Sequence, residues 1–230
     1  MVCIVGDNVY YTYFILFIIY SFIGWIIELG FSYYKTRKII NRGFLIGPYC
    51  PIYGIGCILL VFLLSDYANS VLALFGLSVV VCSILEYFTS WLMEKIFNLR
   101  WWDYSNMKYN INGRICLETM VPFGIIGVII VKYVNSYFLK IVNLINSNAL
   151  EIIGIVLACI FFIDVIISCN ITFNLKSVIK NVNKDSTEEI KNTINKLIRK
   201  NLFVYNRIVN AFPNMAKRIK NKNVKKKSKK

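Results

Sequence analysis

The residues most capable of chemistry are ionisable side chains within or at the ends of long apolar runs. A carboxylate in the hydrocarbon of a bilayer costs about 2.5 kcal/mol or more, so such groups face a protein interior or water and commonly serve a function. Acids held in this way coordinate a cation or exchange a proton, and a neighbouring arginine supplies counter-charge. The candidates for a substrate or ion site are Glu28, Glu86, Glu94, Arg114 and Glu118.

The spacing of these residues predicts that several share one helix face. In the third apolar run, polar side chains recur at i, i+3, i+7 and i+11, the repeat of one helix face, at Ser83, Glu86, Ser90 and Glu94. Residues four apart on a helix can pair, so Arg114 and Glu118 are expected to form an ion pair. Glu86 has the fewest nearby cations, and we expect it to be protonated.

A second set of residues supports the candidate site from the segments between the apolar runs. An arginine at 42 is a further cation for the acids, and a proline at 51 marks irregular backbone that must line a cavity or pack on protein. The aromatic segment 101–104 either closes the mouth of a cavity or anchors the chain in the headgroup layer. The supporting residues are Arg42, Pro51, Trp101, Trp102, Asp103, Tyr104 and Asn112.

Five long apolar runs must position these side chains. Hydrophobic residues make up 57% of the 230 positions, and a helix needs about 20 apolar residues to cross about 30 Å of hydrocarbon. Runs at 10–33, 44–64, 71–91, 115–134 and 150–173 predict an all-α, polytopic membrane bundle of about five transmembrane helices. We expect the bundle to occupy 1–174 and a basic cytosolic tail to occupy 175–230.

The basic residues predict an orientation in the membrane. Most of the 27 Lys and Arg lie in the first connection, the third connection and the tail, and the positive-inside rule places these segments in the cytosol. The sequence therefore predicts a multi-pass protein of the cell membrane with its amino terminus outside and its carboxy terminus in the cytosol.

The tail is predicted to bind the membrane surface. Residues 186–189 have the form of a capping box, and Ile190, Ile194 and Leu197 then recur at helical spacing among lysines. A basic amphipathic helix of this kind is attracted to the anionic lipids of the inner leaflet. Binding to the membrane surface is a sufficient explanation for the formal charge of +15. Nucleic acid is therefore not expected as a partner.

The first four runs show an internal repeat. Trp, Glu and Phe recur in register in 24–31 and 90–97, and Asn41 stands ten residues before Pro51 as Asn112 does before Pro122. Halves at about 10–64 and 71–134 would form a parallel repeat, with the run at 150–173 added outside it and a proline break at matching places in each half. An ordinary proline kink is the alternative for each break.

Residues for several other kinds of chemistry are missing from the sequence. It contains no histidine, and its seven cysteines are scattered, so no metal site, disulfide framework or other cofactor is expected. No Gly-x-x-x-x-Gly-Lys-Ser/Thr motif occurs, so an ATPase that powered transport would have to be a separate subunit. A homo-oligomer is left open.

Five sequence blocks carry a family resemblance. They are Gly-Trp at 24–25, Asn-Arg-Gly-Phe-Leu-Ile-Gly-Pro-Tyr-Cys-Pro-Ile-Tyr-Gly-Ile-Gly at 41–56, Glu-Tyr-Phe-Thr-Ser-Trp-Leu-Met-Glu at 86–94, Trp-Trp-Asp-Tyr-Ser at 101–105 and Asn-Gly-Arg-Ile-Cys-Leu-Glu at 112–118. The chain resembles the CmpB-type family of ABC-transporter permeases, called type IV. The resemblance implies a bacterial cell-membrane protein concerned with transport, and it brings no established substrate or catalytic residue. Thr-Met-Val at 119–121 departs from the serine-bearing, less bulky stretch expected there.

Three functions are consistent with these observations. The first is a permease whose acids form a substrate or proton site, driven by a separate ATPase or by a gradient. The second is an intramembrane enzyme that modifies lipid with a glutamate or Asp103 as general base, which the lack of a recognisable nucleophile–base arrangement disfavours. The third is a noncatalytic scaffold with structural ion pairs and a partner-binding tail. The permease is favoured.

Overall fold

The computed structural model describes residues 8–37, 41, 43–97 and 100–182, with side chains to 174. Five helices dominate them: α1 (Val9–Thr36), α2 (Pro51–Leu64), α3 (Val71–Phe97), α4 (Leu117–Ile129) and α6 (Ser147–Val182). A π-helical turn at Ile130–Val134 joins α4 to α5 (Asn135–Asn143), and a 3-10 turn at Ser65–Tyr67 follows α2. The strands β1 (Asn110–Ile111) and β2 (Ile115–Cys116) pair as an antiparallel hairpin before α4. The prediction of an all-α bundle is confirmed.

Four helical segments are long and apolar enough to cross a membrane. They are Val9–Tyr34, Val71–Phe97, Leu117–Asn143 and Ser147–Asn174, and the apolar helix at Pro51–Tyr67 is shorter. The 14 residues of α2 extend for about 21 Å, less than the roughly 30 Å of a bilayer core. The chain is therefore a multi-pass membrane protein whose second apolar run is only partly helical.

The second run begins with non-helical backbone, so the predicted helical span at 44–64 is wrong over its first part. Residues 44–50 are bends and extended backbone, and helix begins at Pro51. Proline suits the first helical position because its missing N–H would have no partner there. The preceding Cys50 has φ −117° and ψ 96°, the extended conformation that a following proline favours.

The helices pack as two neighbouring hairpins with α6 against the first. α1 packs on α2, α3 packs on α4, and α6 lies along α1. Small residues allow the closest approaches, because a Cβ added to Gly54 would overlap Ser21 of α1 and one added to Gly127 would overlap Ser78 of α3. This arrangement agrees with the predicted pair of hairpins, while the repeat itself stays a prediction.

The apolar core lies where α1, α2 and the α4–α5 region meet. Leu16 and Val142 are fully or almost fully buried there. The hydroxyl of Tyr20 in α1 donates to Asn135 Oδ1 over 2.9 Å, which satisfies a buried polar pair inside the core.

Pro122 lies inside α4 and does not end it, so the predicted break at this proline is not observed. A proline in a helix removes one N–H and with it one backbone hydrogen bond. The regular α-helical pattern changes further on, at the π-helical turn of Ile130–Val134. The two prolines of the proposed repeat therefore differ in setting: Pro51 begins a helix and Pro122 lies within one.

Candidate charged site at one end of the bundle

Glu28 of α1 is held by a tyrosine from α2. The hydroxyl of Tyr53 donates to Glu28 Oε1 over 2.7 Å. The tyrosine ring lies against α1 at Gly24, where an added Cβ would overlap it. Glycine one turn before the acid is therefore what lets the tyrosine reach it.

Glu86 of α3 is the most buried of the candidate acids, with 6% of its surface exposed. The hydroxyl of Tyr104 donates to Glu86 Oε1 over 3.1 Å, and Thr119 Oγ1 lies 3.5 Å from Oε2. Tyr104 comes from the loop between α3 and α4, and its N–H donates to the carbonyl of Gly113 over 2.8 Å. The hairpin thus fixes the backbone from which the tyrosine reaches the buried acid.

Tyr104 connects the surroundings of the two acids. Burial raises the pKa of Tyr104 well above its ordinary value, and the carboxylates of Glu86 and Glu28 raise it further. The hydroxyl therefore keeps its proton and acts as a donor. Because both glutamates act on one tyrosine, they belong to the same polar region, and we call Glu28, Glu86, Tyr53, Tyr104 and Thr119 the hydroxyl cluster.

Glu94, two turns along α3 from Glu86, is paired with two arginines. Its Oε2 lies 2.8 Å from Arg114 Nη2 and 3.0 Å from Arg100 Nη2. Arg114 also donates to Ser90 Oγ over 3.2 Å, and its guanidinium lies 5.6 Å from the centre of the Tyr87 ring. Partly buried charges of opposite sign thus compensate one another here, and we call Glu94, Arg100 and Arg114 the arginine cluster.

The α3–α4 loop folds around the arginine cluster. Arg100 contacts Asp103 over 3.5 Å and donates to the carbonyl of Asn112 over 3.2 Å. Trp102 Nε1 donates to the carbonyl of Arg114 over 3.0 Å. Asn112 and Gly113 have φ of 53° and 66°, the left-handed conformation that asparagine and glycine adopt most readily. These two residues thus form the turn between β1 and β2.

The tryptophans of this loop differ in their surroundings. Trp101 packs on Phe97 and Phe44 at ring-centre distances of 5.7 and 5.5 Å, while Trp102 bonds to backbone. Both are half-buried. Both tryptophans therefore contact other parts of the protein. Anchoring in the headgroup layer stays a prediction.

The predicted pair between Arg114 and Glu118 is wrong. Arg114 lies in the hairpin and pairs with Glu94, whereas Glu118 is exposed and has no ion pair among the described residues. Pairing four residues apart requires both residues to be helical, and α4 begins only at Leu117. Of the supporting residues, Pro51 begins α2, and Arg42 lies outside the part of the chain that the structure describes.

Asp164, a buried acid of α6 with 9% of its surface exposed, is not among the residues predicted from the sequence. Its carboxylate accepts the N–H groups of Ile46 and Gly47 over 3.1 and 2.8 Å and the hydroxyl of Ser168 over 3.0 Å. The acid thus joins α6 to the irregular segment before α2 and satisfies backbone that lipid could not. The signal was present as one aspartate in an apolar run, followed four residues later by serine.

The clusters differ in what they can do chemically. The arginine cluster already contains opposite charges, whereas the hydroxyl cluster presents two acids with neutral donors and no Lys or Arg partner among the described residues. Two such acids can exchange a proton or bind a cation. No set of His, Cys, Asp and Glu able to hold a metal ion occurs in the described ranges.

A comparison with known proteins identifies the family. No curated protein and no solved structure matches the chain. A family model described as "Putative ABC-transporter type IV" matches residues 15–169. That range includes α2 to α4, most of α1 and α6, and both polar clusters. Matched over more than half of its length, the chain belongs to this family of transporter-related membrane proteins, ABC-transporter type IV.

Proposed function

We propose that the chain is a membrane permease in which Glu28 and Glu86 form the substrate or ion site. The observation that carries the proposal is the hydroxyl cluster: two acids from different helices, each bonded to a tyrosine hydroxyl. Membrane-embedded acids without a charged partner commonly mark ion pathways and proton relays. Family membership supports a role in transport.

The arginine cluster has a supporting role in this proposal. Glu94 forms ion pairs with Arg114 and Arg100, and these pairs attach the α3–α4 loop to α3. That loop carries Tyr104, the donor to Glu86. The cluster therefore positions the site, and exposed Glu118 is the weakest of the proposed site residues.

The proposed setting is the cell membrane of a bacterium, with the amino terminus outside and the tail in the cytosol. Because the sequence has no nucleotide-binding motif of the Gly-x-x-x-x-Gly-Lys-Ser/Thr kind, coupling to ATP would require a separate ATPase subunit. Residues 175–182 of the predicted tail continue α6, and the rest of the tail, with its predicted affinity for anionic lipid, lies outside the described residues.

The first experiment asks whether the acids move protons. The full chain is reconstituted in liposomes containing a pH-sensitive dye, and a potassium gradient with valinomycin supplies the driving potential. We expect proton movement across the membrane. It should fall at least tenfold in Glu86→Gln and in Glu28→Gln, because a glutamine side chain cannot take up and release a proton near neutral pH. Glu151→Gln, at an exposed acid of α6, is the matched control and should retain the activity.

The second experiment tests for coupling to an ATPase. Affinity purification from native membranes should recover a subunit with a nucleotide-binding motif, and ATP hydrolysis by the complex should fall in Glu86→Gln but not in Glu151→Gln. Absence of both proton movement and a copurifying ATPase would overturn the permease proposal.

A scaffold is the second candidate, because the acids Glu94 and Asp164 are fully engaged in contacts that hold the fold together. A scaffold predicts that removing residues 183–230 impairs recovery of bound partners while Glu86→Gln has no effect. A permease predicts that Glu86→Gln impairs transport more than removal of residues 183–230 does.

A further inference from the structure

A groove runs along α3 beside the hairpin, and its wall includes Tyr87, whose ring lies against Arg114 of the arginine cluster. Its volume is about 470 Å³, and it is bounded by Ile84, Phe88 and Trp91 of α3 and by Ile111 and Ile115 of the hairpin. The hairpin is fixed over α3 at this point, since Asn112 Nδ2 donates to the hydroxyl of Tyr87 over 3.0 Å. The groove is thus formed by two elements that are bonded to one another.

A lysine stands at one end of this groove. Lys95 lies one helical turn beyond Trp91, with its Nζ 4.7 Å from the centre of the tryptophan ring. Lys95 has no ion pair with an acid among the described residues. Along α3, the distance from Ile84 to Lys95 is about 16 Å. The surface therefore combines an apolar channel with an uncompensated positive charge at its end.

We infer that this groove binds an anionic phospholipid, with an acyl chain between α3 and the hairpin and the phosphate beside Lys95. α3 crosses the membrane, and 63% of Ile84 and 52% of Phe88 are exposed, so acyl chains have direct access to the groove. A tryptophan beside a lysine is typical of the headgroup layer. The lysine charge gives an anionic headgroup the advantage over a zwitterionic one.

A second copy of the chain is the competing occupant, and the charge argues against it. In a two-fold dimer each surface meets itself, which would bring two copies of Lys95 towards one interface. None of the described acids forms an ion pair with Lys95 that would compensate them. Like charges brought together in this way oppose association.

The test is native mass spectrometry of the full chain in mixed micelles of phosphatidylglycerol and phosphatidylcholine. One lysine near the membrane surface contributes about 1 kcal/mol, so Lys95→Gln should lower the ratio of retained phosphatidylglycerol to phosphatidylcholine about fivefold. The basic tail is also predicted to attract anionic lipid, so part of the preference should remain. Lys140→Gln, at an exposed lysine of α5, is the matched control and should keep the ratio of the unaltered chain. Ile84→Trp, which fills the groove, should reduce retention of both lipids.

A second readout locates the lipid. Phosphatidylglycerol with brominated acyl chains should quench tryptophan fluorescence more than brominated phosphatidylcholine, and Trp91→Phe should reduce the difference. The inference is overturned if the unaltered chain retains both lipids equally, if Lys140→Gln matches Lys95→Gln, or if Ile84→Trp dissociates a dimer. None of these outcomes depends on whether the chain transports a substrate.

Discussion

Two acids on the same face of α3 have opposite surroundings. Glu94 meets two arginines at 2.8 and 3.0 Å, whereas Glu86, two turns away, meets the hydroxyls of Tyr104 and Thr119 at 3.1 and 3.5 Å. Spacing alone makes them equivalent, because both lie on one polar stripe. The difference teaches that position in the apolar run does not decide whether an acid is ion-paired or bonded only to neutral hydroxyls.

The largest expected effect comes from removing the charge of Glu94. Glu94→Gln leaves Arg114 partly buried without its carboxylate, while Arg100 keeps its contact with Asp103, and we expect the free energy of unfolding to fall by about 3 kcal/mol. The matched control is Glu86→Gln, which strands no described cation and should change stability by less than about 1 kcal/mol. Unfolding by sodium dodecyl sulfate, followed by circular dichroism, measures both.

The double variant sharpens this prediction. Adding Arg114→Gln to Glu94→Gln removes one stranded cation, so part of the lost stability should return. If Glu86→Gln destabilises the protein as much as Glu94→Gln does, the two acids are equivalent and the comparison fails.

The next effect concerns Asp164, a third kind of acid that is satisfied by backbone. Asp164→Leu removes the acceptor for the Gly47 N–H and one of two acceptors for the Ile46 N–H, and we expect a loss of about 2 kcal/mol. Asp164→Asn keeps one oxygen and should lose less. Equal losses in the same unfolding assay would show that the charge, and not the acceptor geometry, holds segment 44–50.

The smallest effect concerns the donor to Glu86. Tyr104→Phe removes one hydrogen bond, and we expect a loss of about 1 kcal/mol near neutral pH. Since the pKa of Tyr104 is raised in the folded state, the unfolded chain loses this proton first. Stability should therefore fall as the pH rises above about 10, the ordinary tyrosine value. The fall should be shallower in Tyr104→Phe, and an unchanged profile would contradict the buried donor.

The sequence predicted the helical bundle and three of the clustered acids for a physical reason. Apolar length reports what lipid requires of a helix, and a charge within it must be accommodated, so Glu28, Glu86 and Glu94 could be found without coordinates. The partners could not, because they depend on which loop reaches which helix. Arg114 was placed with Glu118 by helical spacing, although its backbone is in a hairpin. Asp164 was missed because the segment it holds lies 118 residues away from it.

The central claim is that Glu94 pairs with two arginines while Glu86 has no Lys or Arg partner in the part of the chain that the structure describes, and carbodiimide labelling tests it most directly. The reagent reacts with protonated carboxyl groups in apolar surroundings. After treatment of the full chain in liposomes at neutral pH, peptide mass spectrometry should find the adduct on Glu86 and little or none on Glu94. Labelling of Glu94 equal to that of Glu86, or no labelling of Glu86, would contradict the account.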